Sequence, residues 1–543
     1  MTDRPSVIVI GLDGGTFDLL DPWIDAGELP AIAAVLREGA RGRLRSTHPP
    51  LTPVAWSSML TGCNPGKHGA FAFMRIGSDH VPQFLNGGAI PLPSVFEHLS
   101  ARGLRVGAVN IPWTWPPPSV NGFCLSGLDA PAFRPDIGHP EGLFDEVAER
   151  FDGYFDKTVL PDRNAYALDR LEDRIAKTGA IARYLGRTRP VDLLAVCFVS
   201  TDQVQHYFFR SRSVTARDGR RVEDLLLHTW RHVDREIGRI VDALAGPNTT
   251  VMLVSDHGAG PTEGGINLGR WLAAESWLEP GTAGSGEAFR RGLLRFGSRL
   301  LPATLRERLR GRLAGTRRRM ISRLLAEGVD WSRTRAFCWS DYGNISLNLS
   351  GRFDTGCVQP GRRDRIVREI ADGLLALRHP ETDERVMSAA LRPGEIYHGP
   401  HLHHAPDLLA VPRDYRWEIL TDFTLSGPLP DDRTRAVFGP AVREGTHRLH
   451  GMLALSGASV RTGEGGSFEG SCARIEDIAP TLLHLLGQPV PSYMDGRVLS
   501  EMLSGLAAPR RAEAALATRA TEVPYTASEV AAVERDLQGL GYL

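Results

Sequence analysis

The sequence predicts an α/β fold built on a mostly parallel sheet, and three apolar runs carry that prediction. Residues 7–10 run into Gly11-Leu12-Asp13-Gly14, residues 193–199 into Ser200-Thr201-Asp202, and residues 251–254 into Ser255-Asp256-His257-Gly258. Continuous apolar runs of this length suit strands buried on both faces, and each is followed by a helical or turn pattern. Strands alternating with helices give a parallel sheet, whose ligands bind beyond the carboxyl ends of the strands. All three runs deliver Asp or His to that edge, so the same observations that predict the fold also predict a site.

The bulk properties are those of an ordinary globular chain. With 543 residues, 42% hydrophobic and 23% charged, it is long enough for one large core with inserted subdomains. A formal net charge of -1 provides no global field for nucleic acid or an anionic membrane. The expected partner is therefore a small molecule and not a stable nucleic-acid complex. Cys63, Cys124, Cys197, Cys338, Cys357 and Cys472 are scattered without a Cys-x-x-Cys pair, which argues against a disulfide framework or a thiolate zinc site. No run of about 18 apolar residues predicts a membrane span, and no signal-like stretch precedes residue 7, so a cytoplasmic location is expected.

Four regions are expected along the chain. Residues 1–275 and 420–500 form the catalytic core. Residues 276–334 are an Arg-rich helical insertion, read as an amphipathic element with a solvated basic face or, more sharply, as a lid or anionic-surface contact. Residues 335–419 form a small α+β subdomain, with strands at 344–349 and 406–411 and a helix at 362–377. Residues 501–543 are a linker or surface helix followed by a terminal docking helix.

Five motifs carry possible chemistry. Asp13 follows the first strand, where Asp also serves as an ordinary helix N-cap. Asp202 and His206 are four residues apart, so on a helix they share one face and can reach one metal. Asp256 and His257 end the third run, and Gly258 would allow the backbone to curl there. His447 lies just before the strand-like 452–455; His398, His401, His403, His404 and His450 compete with it on spacing alone. Thr52 opens a segment in which Thr at the N-cap, Pro53 at the next position and Gly62 beyond the end read as a capped helix. A helix N-terminus favours an alkoxide and binds phosphate, and a neighbouring metal would lower the hydroxyl pKa further.

In this order the pieces resemble the type I phosphodiesterase/nucleotide pyrophosphatase family of the alkaline phosphatase superfamily. The resemblance rests on Leu12-Asp13-Gly14, on Thr52 with Thr61-Gly62 and Asn64-Pro65-Gly66-Lys67-His68-Gly69, and on Ser200-Thr201-Asp202 with His206. It continues through Ser255-Asp256-His257-Gly258 and Gly445-Thr446-His447-Arg448, and closes on Asp477-Ile478-Ala479-Pro480-Thr481 and Met494-Asp495-Gly496-Arg497. It implies an alkaline-phosphatase-like core and two divalent metal ions, Zn2+ foremost, with Mn2+ or Fe compatible. One ion would be held by Asp202, His206 and His447, the other by Asp13, Asp256 and His257 with Thr52 beside it. The implied reaction is hydrolysis of a phosphodiester or pyrophosphate through a phosphothreonine-type intermediate on Thr52. A phosphomonoesterase, phosphonate hydrolase or phosphotransferase using the same site is the alternative. Thr52 in place of Cys or Ser, with no Arg close after it, separates the chain from the sulfatase relatives. The stretch His68-Gly69-Ala70-Phe71-Ala72-Phe73 lacks the Asn with which one branch contacts phosphate. Trp56, Phe71, Phe73, Tyr207, Phe208 and Phe209 are expected either to pack in the core or to wall a leaving-group pocket, with Trp56 and Phe73 nearest the nucleophile helix.

Overall fold

The computed structural model describes residues 4–132, 134–153, 168–281, 329–421, 437–462, 467–516 and 523–540. Most of the expected Arg-rich insertion, residues 282–328, lies outside the described residues.

The three apolar runs become adjacent strands. In chain order, the main sheet contains β1 (Val7–Leu12), β2 (Gly39–Arg45), β3 (Val106–Ile111), β4 (Gly122–Ser126), β5 (Gly138–His139), β6 (Leu193–Phe198), β7 (Thr250–Val254), β8 (His450–Ser456) and β9 (Ser467–Arg474). Their spatial order is β9-β2-β8-β7-β1-β6-β3-β4-β5. β1 sits between β7 and β6, parallel to both, with Ile10 opposite Leu253 and Val196. Every residue of β1, β3, β6 and β7 is buried, as expected for strands covered on both faces. Within the interior only β8 runs against its neighbours, pairing antiparallel with β7 and β2.

The helices follow from the same patterning. α1 (Thr52–Thr61) is buried along its whole length, and Gly62 ends it at φ 66°. That left-handed C-cap is one a Cβ would strain. Thr52 is the first helical residue; Leu51, extended at φ -125°, takes the N-cap position assigned to Thr52 in the sequence. α2 (Leu168–Thr188), α3 (Ser200–Phe208) and α4 (Leu225–Leu244) follow in the chain, and the Asp224 side chain caps α4 by accepting from the Leu227 N–H. Arg174 of α2 donates to the Gln203 side chain of α3 at 2.9 Å, so the two helices are tied inside the core.

A second, antiparallel sheet of four strands has the order Ala336–Cys338, Asn344–Leu347, Leu408–Pro412 and Met387–Leu391, with a helix at Arg363–Ala376 packed on it. It reaches the nucleophile side of the core through Asn344, whose Nδ2 donates to the Phe71 carbonyl at 3.0 Å. The described part of 504–516 is extended and not helical: Arg511–Ala512 pairs with Val490–Pro491. The terminal helix Ala527–Leu540 is tied to the core by Tyr525, which stacks on Trp115 and donates to the Asp129 carbonyl at 2.6 Å. Cys63, Cys124, Cys197, Cys338 and Cys357 are free thiols. Among the described residues no helix is long and apolar enough to cross a membrane.

The contact between β2 and β8 is closest at Gly39, where a Cβ would lie 1.7 Å from the Leu455 carbonyl oxygen, a ladder atom with no room to move. Gly39→Ala is expected to cost about 1–3 kcal/mol. Gly361→Ala, at a glycine with nothing within 4 Å, should stay within about 0.5 kcal/mol. Denaturant midpoints of the two variants check this; equal stability would mean that the two strands are not in register at that point.

Candidate metal centre

Three strand ends and one short added strand assemble the centre. Asp13 leaves β1 with its N–H donating to the Phe198 carbonyl of β6 at 3.3 Å. The next residue, Gly14, has φ +68°, and a Cβ there would fall 2.8 Å from Gln205 Nε2 and 3.0 Å from Asp202 Oδ1. The chain can turn beneath α3 only because position 14 lacks a side chain. Thr201 Oγ1 donates to the Asp13 carbonyl at 2.6 Å and Gln205 Nε2 to the Gly14 carbonyl at 3.2 Å, so α3 is stitched directly onto the β1 turn.

On α3 the spacing of four residues puts Asp202 Oδ2 3.1 Å from His206 Nε2. His447 arrives from strand Gly445–Arg448, which pairs antiparallel with Gly258–Pro261 and sets His447 opposite Ala259. That pairing also defines the role of Gly258. It is not left-handed, contrary to the curl expected from sequence; it is needed because a Cβ would lie 2.1 Å from the His450 carbonyl oxygen.

Two clusters result. In one, donor atoms of Asp202, His206 and His447 lie within 4.8 Å of one another; in the other, those of Asp13, Asp256 and His257 do. All six side chains are at most 2% exposed. Thr52, fully buried at the start of α1, places Oγ1 3.4 Å from His257 Nε2. The seven residues singled out in the sequence are thus brought together. His401, His403 and His404 instead cluster with one another around the turn Leu402–His404, apart from both groups. His398 lies against Asp495 at 3.0 Å.

The hydrogen bonds decide which nitrogen of each ring faces inward. Nδ1 of His206 is 3.1 Å from the Gly445 carbonyl, Nδ1 of His257 is 3.0 Å from the Gly258 carbonyl, and Nδ1 of His447 is 2.7 Å from the Pro50 carbonyl. A carbonyl only accepts, so each Nδ1 carries the proton and each Nε2 turns a lone pair inward. The Nε2 atoms of His206 and His447 then face each other at 3.2 Å. Burial and the stacked His257 ring push His447 down to about 3, which keeps it neutral.

The carboxylates make the same point. Both oxygens of Asp13 are buried with no hydrogen-bond partner among the described residues, as is Asp256 Oδ2. Burial first, then Asp256 and Asp202, raise the Asp13 carboxyl well above the ordinary carboxylate range; burial likewise raises Asp256. Clustered carboxylates and opposed lone pairs in a dry cavity are costly unless cations lie between them. The residues therefore fit two divalent ions. A donor set of imidazole and carboxylate without thiolate suits Zn2+ and is compatible with Mn2+ or Fe.

Sequence reasoning missed Tyr342. It sits in the turn between two strands of the small sheet, 6% exposed, with its ring centroid 5.1 Å from that of His447. Its hydroxyl is buried without a hydrogen-bond partner among the described residues. A tyrosine in a short turn gives no signal in sequence; only the packing of that turn on His447 reveals it. The expected aromatic wall is not formed by the two residues favoured for it. Trp56 packs in the core against the Gly11 backbone, and Phe73 packs edge-on against Trp113 with centroids 5.8 Å apart. Tyr207 lines a cavity of about 530 Å³ with Arg270 and Arg443, which none of the seven site residues borders.

A family model described as type I phosphodiesterase/nucleotide pyrophosphatase matches residues 7–452. Among solved structures, human ectonucleotide pyrophosphatase/phosphodiesterase 5 is similar with a TM-score of 0.50 and 13% identity, covering 92% of this chain and 100% of its own. The murine protein, solved as an inactive threonine-to-alanine variant in complex with AMP, has a TM-score of 0.50 and 14% identity over 92% of this chain and 100% of its own. These likenesses show the fold. No curated protein matches the chain.

Stripping divalent ions with a strong chelator is expected to lower the melting temperature, because the carboxylates are then buried without a counter-charge. Asp13→Asn should reverse the sign: less bound metal, yet a more stable chelated protein, since one uncompensated charge is gone. Thermal unfolding with and without chelator, alongside elemental analysis, measures both. A chelated wild type as stable as both the untreated protein and the chelated Asp13→Asn variant would remove the argument for ions at this centre.

Proposed function

We propose that this chain, which belongs to the type I phosphodiesterase/nucleotide pyrophosphatase family and is a hydrolase of phosphoester bonds, acts on phosphodiester or pyrophosphate substrates with Thr52 as its nucleophile. The observation that carries the reading is the position of Thr52 Oγ1, at the buried N-terminus of α1 and 3.4 Å from the inward Nε2 of His257. A hydroxyl there lies in the positive end of a helix and beside a candidate metal cluster, and both favour its anionic form.

Asp13, Asp256 and His257 would hold one divalent ion and Asp202, His206 and His447 the other. When bound, the pair supplies a lowered hydroxyl pKa and positive charge opposite the phosphoryl and leaving oxygens. The chain's own residues do the rest. Thr52 Oγ attacks phosphorus in line, forming the Oγ–P bond as the bond to the leaving oxygen breaks, and that oxygen departs with the electron pair. A water then attacks phosphorus, its oxygen stays with the phosphate, and Thr52 Oγ is regenerated with a proton. The backbone carbonyls of Gly445, Gly258 and Pro50 keep the three imidazoles oriented with Nε2 inward. Tyr342, with its buried hydroxyl unbonded among the described residues and its ring against His447, is placed to donate to a phosphoryl oxygen.

The AMP bound by the murine relative makes a nucleotidyl ester a natural substrate to compare with simple diesters. The absence of Asn from His68–Phe73 weighs against tight nucleotide recognition by that stretch.

A panel of bis(4-nitrophenyl) phosphate, 4-nitrophenyl phosphate and the nitrophenyl ester of thymidine monophosphate tests the assignment. Diester turnover is expected to dominate, and Thr52→Ala should lower it at least about a thousandfold with the fold intact. Thr52→Ser should retain part of it. A Thr52→Ala enzyme within a few-fold of wild type would remove Thr52 as nucleophile, and preferred monoester turnover would move the enzyme to the phosphomonoesterase reading.

Tyr342→Phe is expected to lower kcat/KM about 10–100-fold, the value of a hydrogen bond to a charged group. It should not lower the melting temperature, because the deleted hydroxyl has no partner among the described residues. Unchanged kinetics on every ester would return Tyr342 to a packing role.

A further inference from the structure

A second kind of ligand cluster lies where α2 and α4 pack against each other. His228 and His232 are one turn apart on α4 and so share a face. Glu172 of α2 meets them, with Oε1 2.9 Å from His228 Nε2 and 4.0 Å from His232 Nε2. The two imidazole centroids are 4.3 Å apart, and one ligand atom from each of the three side chains falls within 4.8 Å of the others.

The His232 ring repeats the device seen at the buried candidate centre. His232 Nδ1 lies 2.9 Å from the His228 carbonyl, so its proton sits on Nδ1 and its Nε2 lone pair is free. Burial and the neighbouring His232 lower the proton affinity of His228, which favours a neutral ring. The side chains are 22–23% exposed, so an ion can enter from solvent.

We propose that Glu172, His228 and His232 form a third metal site, distinct from the buried pair, that takes a borderline transition-metal ion such as Zn2+. Two imidazoles and one carboxylate without thiolate are a donor set for that class, with the remaining position left to water. Arg220 already grips the carboxylate at 3.0 Å through Oε1 and 3.1 Å through Oε2. A carboxylate has about four acceptor positions, so Glu172 can keep Arg220 and turn Oε1 to the ion. The bond given up is the one that His228 donates to Oε1; its proton moves from Nε2 to Nδ1, and no net proton is released. The ion would clamp α2 to α4. α4 packs on α3, and α2 holds Gln203 of α3, so the clamp would brace the helix that carries Asp202 and His206.

The test uses the full chain, dialysed against low-micromolar Zn2+ and analysed for bound zinc. Wild type should retain one equivalent more than Glu172→Gln and more than His232→Ala. Zn2+ should raise the wild-type melting temperature by several degrees beyond any rise in either variant. Diester turnover should stay unchanged in both variants, which also shows that they are folded. Equal zinc content in all three proteins, or an extra equivalent seen only at millimolar Zn2+, overturns the site. Because the readout is a difference in stoichiometry, it stands or falls independently of the role given to Thr52.

Discussion

The structure depends on one electrostatic constraint: Asp13, Asp202 and Asp256 are buried together at the carboxyl edge of the sheet, with imidazole lone pairs aimed into the same space. Two of the three are raised by burial and mutual repulsion, and the Asp13 carboxylate has no hydrogen-bond donor among the described residues. An arrangement of this cost persists only where the surrounding packing over-determines it. Much of the local sequence is consistent with that need. Gly14 lets the chain turn under Asp202, Gly258 and Gly451 let the segments of His257 and His450 close on each other, and Gly445 lets its strand reach α3. The glycines mark where backbone must approach backbone for the six candidate ligands to converge.

The same constraint explains why so much of the site is legible in the sequence. A carboxylate at the end of an all-apolar strand is conspicuous, and β1, β6 and β7 each display one. Asp202 and His206 are legible through helical spacing. His447 is not: five other histidines lie nearby in the chain, and only the motif Gly445-Thr446-His447-Arg448 separates it from His403 and His404. The structure adds the reason, since the pairing of Gly445–Arg448 with Gly258–Pro261 carries one histidine inward and leaves the others out.

What cannot be read depends on partners distant in sequence. Whether Thr52 or Leu51 caps α1 is undetermined by composition, because Pro53 is tolerated at either of the first two helical positions; the extended Leu51 decides it. Trp56 is placed by packing that composition does not show: it turns to the Gly11 backbone and the core, while Thr52 of the same helix faces His257. Tyr342 and Glu172 acquire meaning only through the turn or helix packed against them.

The position of β8 has a consequence for the order in which the protein can assemble. β7 and β2 are held together through β8, and β9 then closes the outer side of β2. During synthesis, the candidate ligands Asp13, Asp256 and His257 are present long before residue 447 exists. All three donors of one candidate cluster are therefore present early, while the other has only Asp202 and His206. Until residues 450–474 arrive, β2 has no sheet partner among the described residues and the edge of β7 is open. Non-local pairing of this kind is slow and exposes unpaired strand edges. The half-built molecule thus carries an exposed sheet edge beside an incomplete candidate cluster, and one late segment, residues 445–456, closes both.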